Sequence, residues 1–211
     1  MSPPVVEFFY GIGSRYSYLA STRLGRLAAE TGCAIRWRPL YSGDLFAVRG
    51  RDPFRGQAVS GQYDWAYRRQ DAERWAAYYG VPYREPDDVR FEPRRLALAA
   101  TAAAALGAVE TFSRRLFRAL FVDGLSPLDD AACAGLAREA GLDQDAFHRV
   151  LAQPETAARL AATVEEAAAR GVFGVPSFVL GAEIYFGNDR LPLLRHALLH
   201  GPTAGPAALD Q

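Results

Sequence analysis

Five of the first six positions in Val5-Val6-Glu7-Phe8-Phe9-Tyr10 are apolar. So short and β-prone a run predicts a buried strand. Gly11, Gly13 and Ser14 break it. From Tyr16 to Thr31 the apolar positions change to helical spacing, with Leu19, Leu24, Leu27 and Ala28 on one face, and Gly32 stops the helix. Ala34-Ile35-Arg36-Trp37-Arg38 reads as a second strand ended by Pro39. Together these make one strand-helix-strand unit of the usual size, about 30 residues.

A long helical stretch follows. Its predicted helices are Tyr63–Tyr79, Arg94–Leu106, Ala108–Phe121, Asp129–Ala140, Asp143–Leu151 and Glu155–Arg170. Gly80, Gly107 and Gly141 punctuate them, and Pro93 opens the second. The alanine runs are good helix formers rather than disordered low-complexity sequence. Strand character returns at Ser177-Phe178-Val179-Leu180 and Ile184-Tyr185-Phe186, a hairpin turning at Gly181. Gly187-Asn188-Asp189 opens a last helix to about His200, and residues 201–211 form a Gly/Pro/Ala-rich tail.

The order is β-α-β, helices, β-β-α. It predicts an α/β chain: a thioredoxin-like fold with an all-helical domain inserted after the second strand. The expected division is 1–42 and 170–211 for the thioredoxin-like part and 43–169 for the insertion.

Composition narrows the chemistry. Lys+Arg and Asp+Glu are both 24, so net charge is zero, which gives no electrostatic case for nucleic acid or an anionic membrane surface. Every basic residue other than histidine is arginine, so lysine Schiff-base chemistry is excluded. No apolar run reaches the roughly 18 residues of a membrane span. Met1-Ser2-Pro3-Pro4 leads into a strand without a basic segment and apolar signal core, so the expected location is cytoplasmic. Cys33 and Cys133 have neither redox nor metal spacing and read as small buried hydrophobes; His148, His196 and His200 are scattered, and no metal site is expected.

Two distant segments carry the chemistry. One is the Gly11-Ile12-Gly13-Ser14-Arg15-Tyr16-Ser17 turn; the other is Gly171-Val172-Phe173-Gly174-Val175-Pro176-Ser177-Phe178. In a thioredoxin-like fold a helix start and a cis-proline loop meet and cradle a thiol. Such a helix start lowers a thiol pKa from about 8.5 by stabilising the thiolate. Ser14-x-x-Ser17 stands where Cys-x-x-Cys is usual. A serine hydroxyl can donate to a bound thiolate but cannot carry electrons, which disfavours disulfide exchange. An X-Pro bond is where a cis peptide is cheap, about 0.5–1 kcal/mol. A cis Val175-Pro176 bond would turn the Val175 backbone toward the cleft; Gly-Val-Pro-Ser is otherwise an ordinary loop before a strand.

These segments, with Trp37-Arg38-Pro39, Arg74-Trp75-Ala76, Tyr79-Gly80-Val81-Pro82 and Phe186-Gly187-Asn188-Asp189-Arg190-Leu191, resemble the 2-hydroxychromene-2-carboxylate isomerase family. Kappa-class glutathione transferases and DsbA-type oxidoreductases are its wider relatives. The resemblance runs from about Val5 to Leu199. It implies a glutathione-dependent, homodimeric isomerase acting on a small unsaturated aromatic acid, with Ser14 holding the thiol sulfur. It further implies that Val175 and Pro176 pair with the tripeptide backbone, and that Asn188, Asp189 and Arg190 hold its γ-glutamyl end. Asp189 also suits a cap of the last helix, and the two roles are compatible.

The chain departs from the family pattern in three places. Arg15 replaces the usual proline and is either solvated or holds an acidic ligand. Phe91-Glu92-Pro93-Arg94-Arg95 lacks a common asparagine. The family's lysine near the glycyl carboxylate is missing; Arg49 or Arg51 either replaces it as a carboxylate clamp or lies exposed. The alternative cofactors are another low-molecular-weight thiol or none, the last serving a thiol-independent isomerase, cyclase or ligand-binding protein of secondary metabolism. Tyr10, Tyr16, Tyr18 and Tyr41 lie near the expected cleft, as core residues or as an aromatic substrate surface. The candidate substrate contacts are Tyr10, Arg15, Tyr16, Tyr41 and Arg51.

Overall fold

The computed structural model describes residues 3–50, 64–85 and 91–201. The strands are β1 Val5–Tyr10, β2 Ala34–Pro39, β3 Ser177–Leu180 and β4 Glu183–Phe186. They form one sheet in the order β2-β1-β3-β4, with β1 parallel to β2, and β3 antiparallel to both β1 and β4. Pro39 closes β2 on a sheet edge, where a missing N–H costs no ladder bond. The fold is thioredoxin-like, as the element order predicts.

β1 is apolar at every position but Glu7 because it is covered on both faces. Val6, Phe8 and Tyr10 enter the main core with Trp37 and Phe178, packed by α1 (Arg15–Ser21), α2 (Leu24–Thr31), α5 (Pro93–Ala105) and α6 (Val109–Phe121). Phe9 enters a smaller core with Leu40, Leu45, Val164, Val172 and Val179, beneath α3 (Ser42–Arg49) and α9 (Pro154–Ala169). Glu7 shares that second face. Its buried carboxylate accepts from Arg36 (3.3 Å) and Arg38 (3.1 Å) and pairs with Arg170, so three guanidiniums compensate its desolvation.

The remaining helices are α4 (Trp65–Tyr79), α7 (Asp130–Glu139), α8 (Gln144–Ala152) and α10 (Leu191–His200). Each predicted helix of the insertion has its counterpart within two residues at either end, but one main core takes side chains from both expected parts of the chain. Cys33 and Cys133 are buried and unbridged. Among the described residues no helix is long and apolar enough to cross a membrane.

Two features differ from the sequence expectation. The helix read over 16–31 is two helices, broken at Thr22-Arg23. Ser21 and Thr22 turn their hydroxyls back onto the carbonyls of Tyr18 and Leu19, each at 2.6 Å, a local bond that competes with the helical ladder. α3 was not foreseen; it is short and carries a glycine in its first turn, and its one buried side chain, Leu45, ties it to the second core.

Arg95 on α5 grips Asp130, the first residue of α7, through both carboxylate oxygens. That hydrogen bond holds the Asp130 carboxyl below the usual carboxylate range. A depressed folded pKa adds stability above the unfolded value of about 3.9, lost as pH falls through the folded value. Asp130→Asn is therefore expected to melt below wild type at pH 7, with the gap closing on acidification. The pair is half-exposed, so the gap is small. Thermal melts from pH 7 to pH 2 check this.

Candidate active site

Ser14 is the N-cap of α1. Its backbone N–H donates to Gly11 O (3.0 Å), and its Oγ accepts from Ser17 N (3.2 Å). Ser17 is fully buried, and its Oγ accepts from Gly11 N at 3.4 Å. The two serines thus lock the turn reciprocally. With its oxygen accepting from the helix start, the Ser14 hydroxyl keeps its own proton for an outside acceptor.

The two distant loops meet as expected. The Val175-Pro176 peptide is cis, and a Cβ placed on Gly11 would lie 3.5 Å from Val175 Cγ2, ordinary van der Waals contact. The proline loop is braced twice: Ser177 Oγ donates to Gly174 O (2.8 Å), and Gly187 N donates to Pro176 O (2.9 Å). Arg49 Nη1 donates to Val172 O at 3.0 Å, which anchors the approach to the loop. Phe91 closes the other side: a Cβ on Gly13 would sit only 3.0 Å from its ring.

Asn188, Asp189 and Arg190 form a 3₁₀ turn before α10. Gly187 enters it at φ 107°, a backbone conformation that L side chains rarely adopt, which selects glycine there. Asn188 is buried and ties the turn to α4, with Nδ2 donating to Tyr79 Oη (3.4 Å) and its carbonyl accepting from that hydroxyl (3.2 Å). Asp189 is exposed and pairs with Arg190 at 3.0 Å. It does not cap α10, whose N-cap is Arg190, without a side-chain bond.

The expected aromatic contacts divide. Tyr10 is fully buried, its hydroxyl 2.6 Å from Ser113 Oγ, and burial raises its pKa. It is a core residue, contrary to the substrate role: β1 alternation puts it on the face of Val6 and Phe8. Tyr18 is core too, donating to the Pro82 carbonyl. Tyr16 is half-buried and donates to Asp71 Oδ2 (2.8 Å); burial, then that bond, pushes its pKa up to about 12, so it remains a protonated donor at neutral pH. Tyr41 is half-buried, folded over Gly43 at the start of α3.

Arg15 is not solvated. Its side chain is 11% exposed and pairs with Glu85 at 2.6 Å. Its guanidinium also lies 5.6 Å from the Trp65 ring centroid, and Nη1 is buried without a hydrogen-bond partner among the described residues. Arg94 donates to Asp44 (2.9 Å), joining α5 to α3. Arg51 lies outside the described residues. The sequence reading marks Ser17 only as the place of the missing second cysteine, and Phe91 only as part of a segment that departs from the family pattern; the packing role of neither is foreseen. Glu85 escapes it altogether, being 70 positions from Arg15 with no local pattern to mark it.

The arrangement holds no thiol of its own beside Ser14, so it cannot exchange disulfides. It can present a hydroxyl proton and backbone donors to a sulfur brought by another molecule. A family model described as a DSBA-like thioredoxin domain matches residues 5–199. The chain is 31% identical over 195 residues to 2-hydroxychromene-2-carboxylate isomerase of Sphingobium xenophagum, covering 92% of this chain and 97% of that one. It is 30% identical over 204 residues to the enzyme of the same name from Pseudomonas sp. strain C18, covering 95% and 93%. A solved 2-hydroxychromene-2-carboxylate isomerase structure superposes with a TM-score of 0.80 at 29% identity, covering 92% of this chain and 94% of that one.

Proposed function

The chain belongs to the DSBA-like thioredoxin domain family, and on that premise we propose that it is a thiol-dependent isomerase of 2-hydroxychromene-2-carboxylate or a close aromatic acid, with glutathione as the thiol. The isomerase activity itself follows from curated relatives of that name along nearly the whole chain. The observation that carries the thiol reading is the Ser14 hydroxyl, its oxygen tied to Ser17 N, on the turn that packs against the cis-proline loop. When bound, a thiol supplies a nucleophile that adds to the unsaturated acid and leaves after bond rotation, with no net oxidation.

Every other part is done by the chain. Ser14 donates a hydrogen bond to the sulfur, keeping its own proton, and so favours the thiolate. The Val175 backbone, beside Pro176, pairs with the peptide part of the cofactor. Asp189 receives the γ-glutamyl ammonium, with Asn188 fixing the turn and Arg190 flanking it. Arg15 Nη1, without a partner among the described residues, is a donor for the substrate carboxylate, and Tyr16 and Tyr41 flank the aromatic ring. The same reading carries a cytoplasmic homodimer.

Turnover of 2-hydroxychromene-2-carboxylate by thiol-free protein, followed by absorbance with and without added glutathione, tests the proposal. The expected result is negligible turnover without thiol, saturable activation by glutathione, and calorimetric binding of S-methylglutathione. Full turnover without thiol overturns it in favour of a thiol-independent isomerase.

A further inference from the structure

An open groove of about 760 Å³ runs between α2, α4 and α10. Its lining includes neither Ser14 nor the Val175-Pro176 loop. The volume falls within the range of small-molecule sites, about 300–1,000 Å³.

Two kinds of side chain give the groove its character. Trp75, Tyr78 and Tyr79 form an aromatic wall, with Trp75 5.8 Å from Tyr78 and 5.3 Å from Tyr79. Tyr78 is 79% exposed, a large ring surface left in water. The second kind is arginine. Four guanidiniums line the groove against two carboxylates, Glu30 and Asp71. Glu30 is already held by Arg26 and Arg195, and Asp71 by the Tyr16 hydroxyl. Among the described residues, Arg23 lies 5.0 Å over the Tyr79 ring and donates through Nη1 to the Tyr79 carbonyl (3.4 Å) but has no carboxylate partner, and Arg74 makes no ion pair or hydrogen bond.

We propose that this groove is a second binding site, for a small planar aromatic carboxylate. The ring stacks on Trp75 and Tyr78, and the carboxylate meets Arg74 and Arg23. An excess of two positive charges suits a mono- or dicarboxylate. It does not suit a polyanion, because the chain as a whole is neutral and offers no extended positive field. The site stands independently of any thiol at Ser14. It adjoins that region through Tyr79, bonded to Asn188, through Asp71, bonded to Tyr16, and through Leu191, which follows Arg190 at the end of the 3₁₀ turn.

The test is calorimetric titration of the full chain with 2-naphthoate, using neutral 2-naphthamide as control. Saturable binding is expected for wild type and for Ser14→Ala. Arg74→Gln and loss of the ligand charge are each expected to weaken it by about tenfold, and Tyr78→Ser to weaken it further. Both substituted side chains are exposed, so the variants fold, and circular dichroism verifies this. Equal affinity for wild type, Arg74→Gln and Tyr78→Ser overturns the proposal, as does no saturable binding up to about 10 mM. Sedimentation runs on the same samples. If either variant changes the association state, the face belongs to a contact between copies of the chain and the proposal falls.

Discussion

Ser14→Ala is expected to lower isomerase turnover by on the order of a hundredfold, the usual cost of removing one preorganised donor from a developing anion. The side chain has two jobs that separate experimentally. As the cap of α1 it accepts from Ser17 N, and losing that bond costs about 1 kcal/mol of stability. On the proposed thiol mechanism it also holds, as a donor, the attacking sulfur as thiolate, and losing that is expected to affect rate. Ser14→Thr keeps both the oxygen and its proton, so it should restore the cap and much of the rate. The measurements are kcat/KM at saturating glutathione and the melting temperature of each variant. If Ser14→Ala loses stability but keeps its rate within a factor of about three, the hydroxyl has no contact with the reacting sulfur.

Phe8→Ala is expected to cost about 3–5 kcal/mol, the range for emptying a buried aromatic site. Phe8 is fully buried at the centre of β1. Its ring stacks 4.9 Å from Tyr10 and 5.3 Å from Phe178, with Trp37 edge-on at 5.1 Å. These contacts join β1 to both its neighbours, so the cavity cannot be filled by moving one strand alone. Phe8→Leu should lose less than half as much, because most of the volume is kept. Denaturant midpoints at unchanged slope check the values. The loss also reaches the candidate site: β1 leads into the Gly11–Ser14 turn and β3 leaves the proline loop, so a loosened pair is expected, on the proposed thiol mechanism, to raise the KM for thiol as well.

The sheet was readable because its signals are local: short apolar runs, a glycine at the hairpin turn, and Val-Pro before β3. The meeting of the two loops was readable because element order alone implies it. The break at Thr22 was marked in the sequence by adjacent hydroxyl residues, but the apolar face runs through it and outweighed them. Tyr10 could have been assigned from alternation, since it falls on the face of Phe8. Arg15 could not: its partner Glu85 is 70 residues away on the far side of α4, and nothing next to Arg15 says whether its charge is met by water, ligand or protein. The same holds for Asn188, whose amide is bonded to Tyr79 from a different element.

The Gly11–Ser17 bond bears on what electron transfer would demand of this site. A cysteine at position 14 would supply one sulfur, but a dithiol also needs position 17, where Ser17 is sealed from solvent and already accepts from a backbone amide. A cysteine there would exchange that oxygen acceptor for a weak sulfur one and slacken the turn. Redox chemistry and a firmly closed turn therefore compete for one buried position.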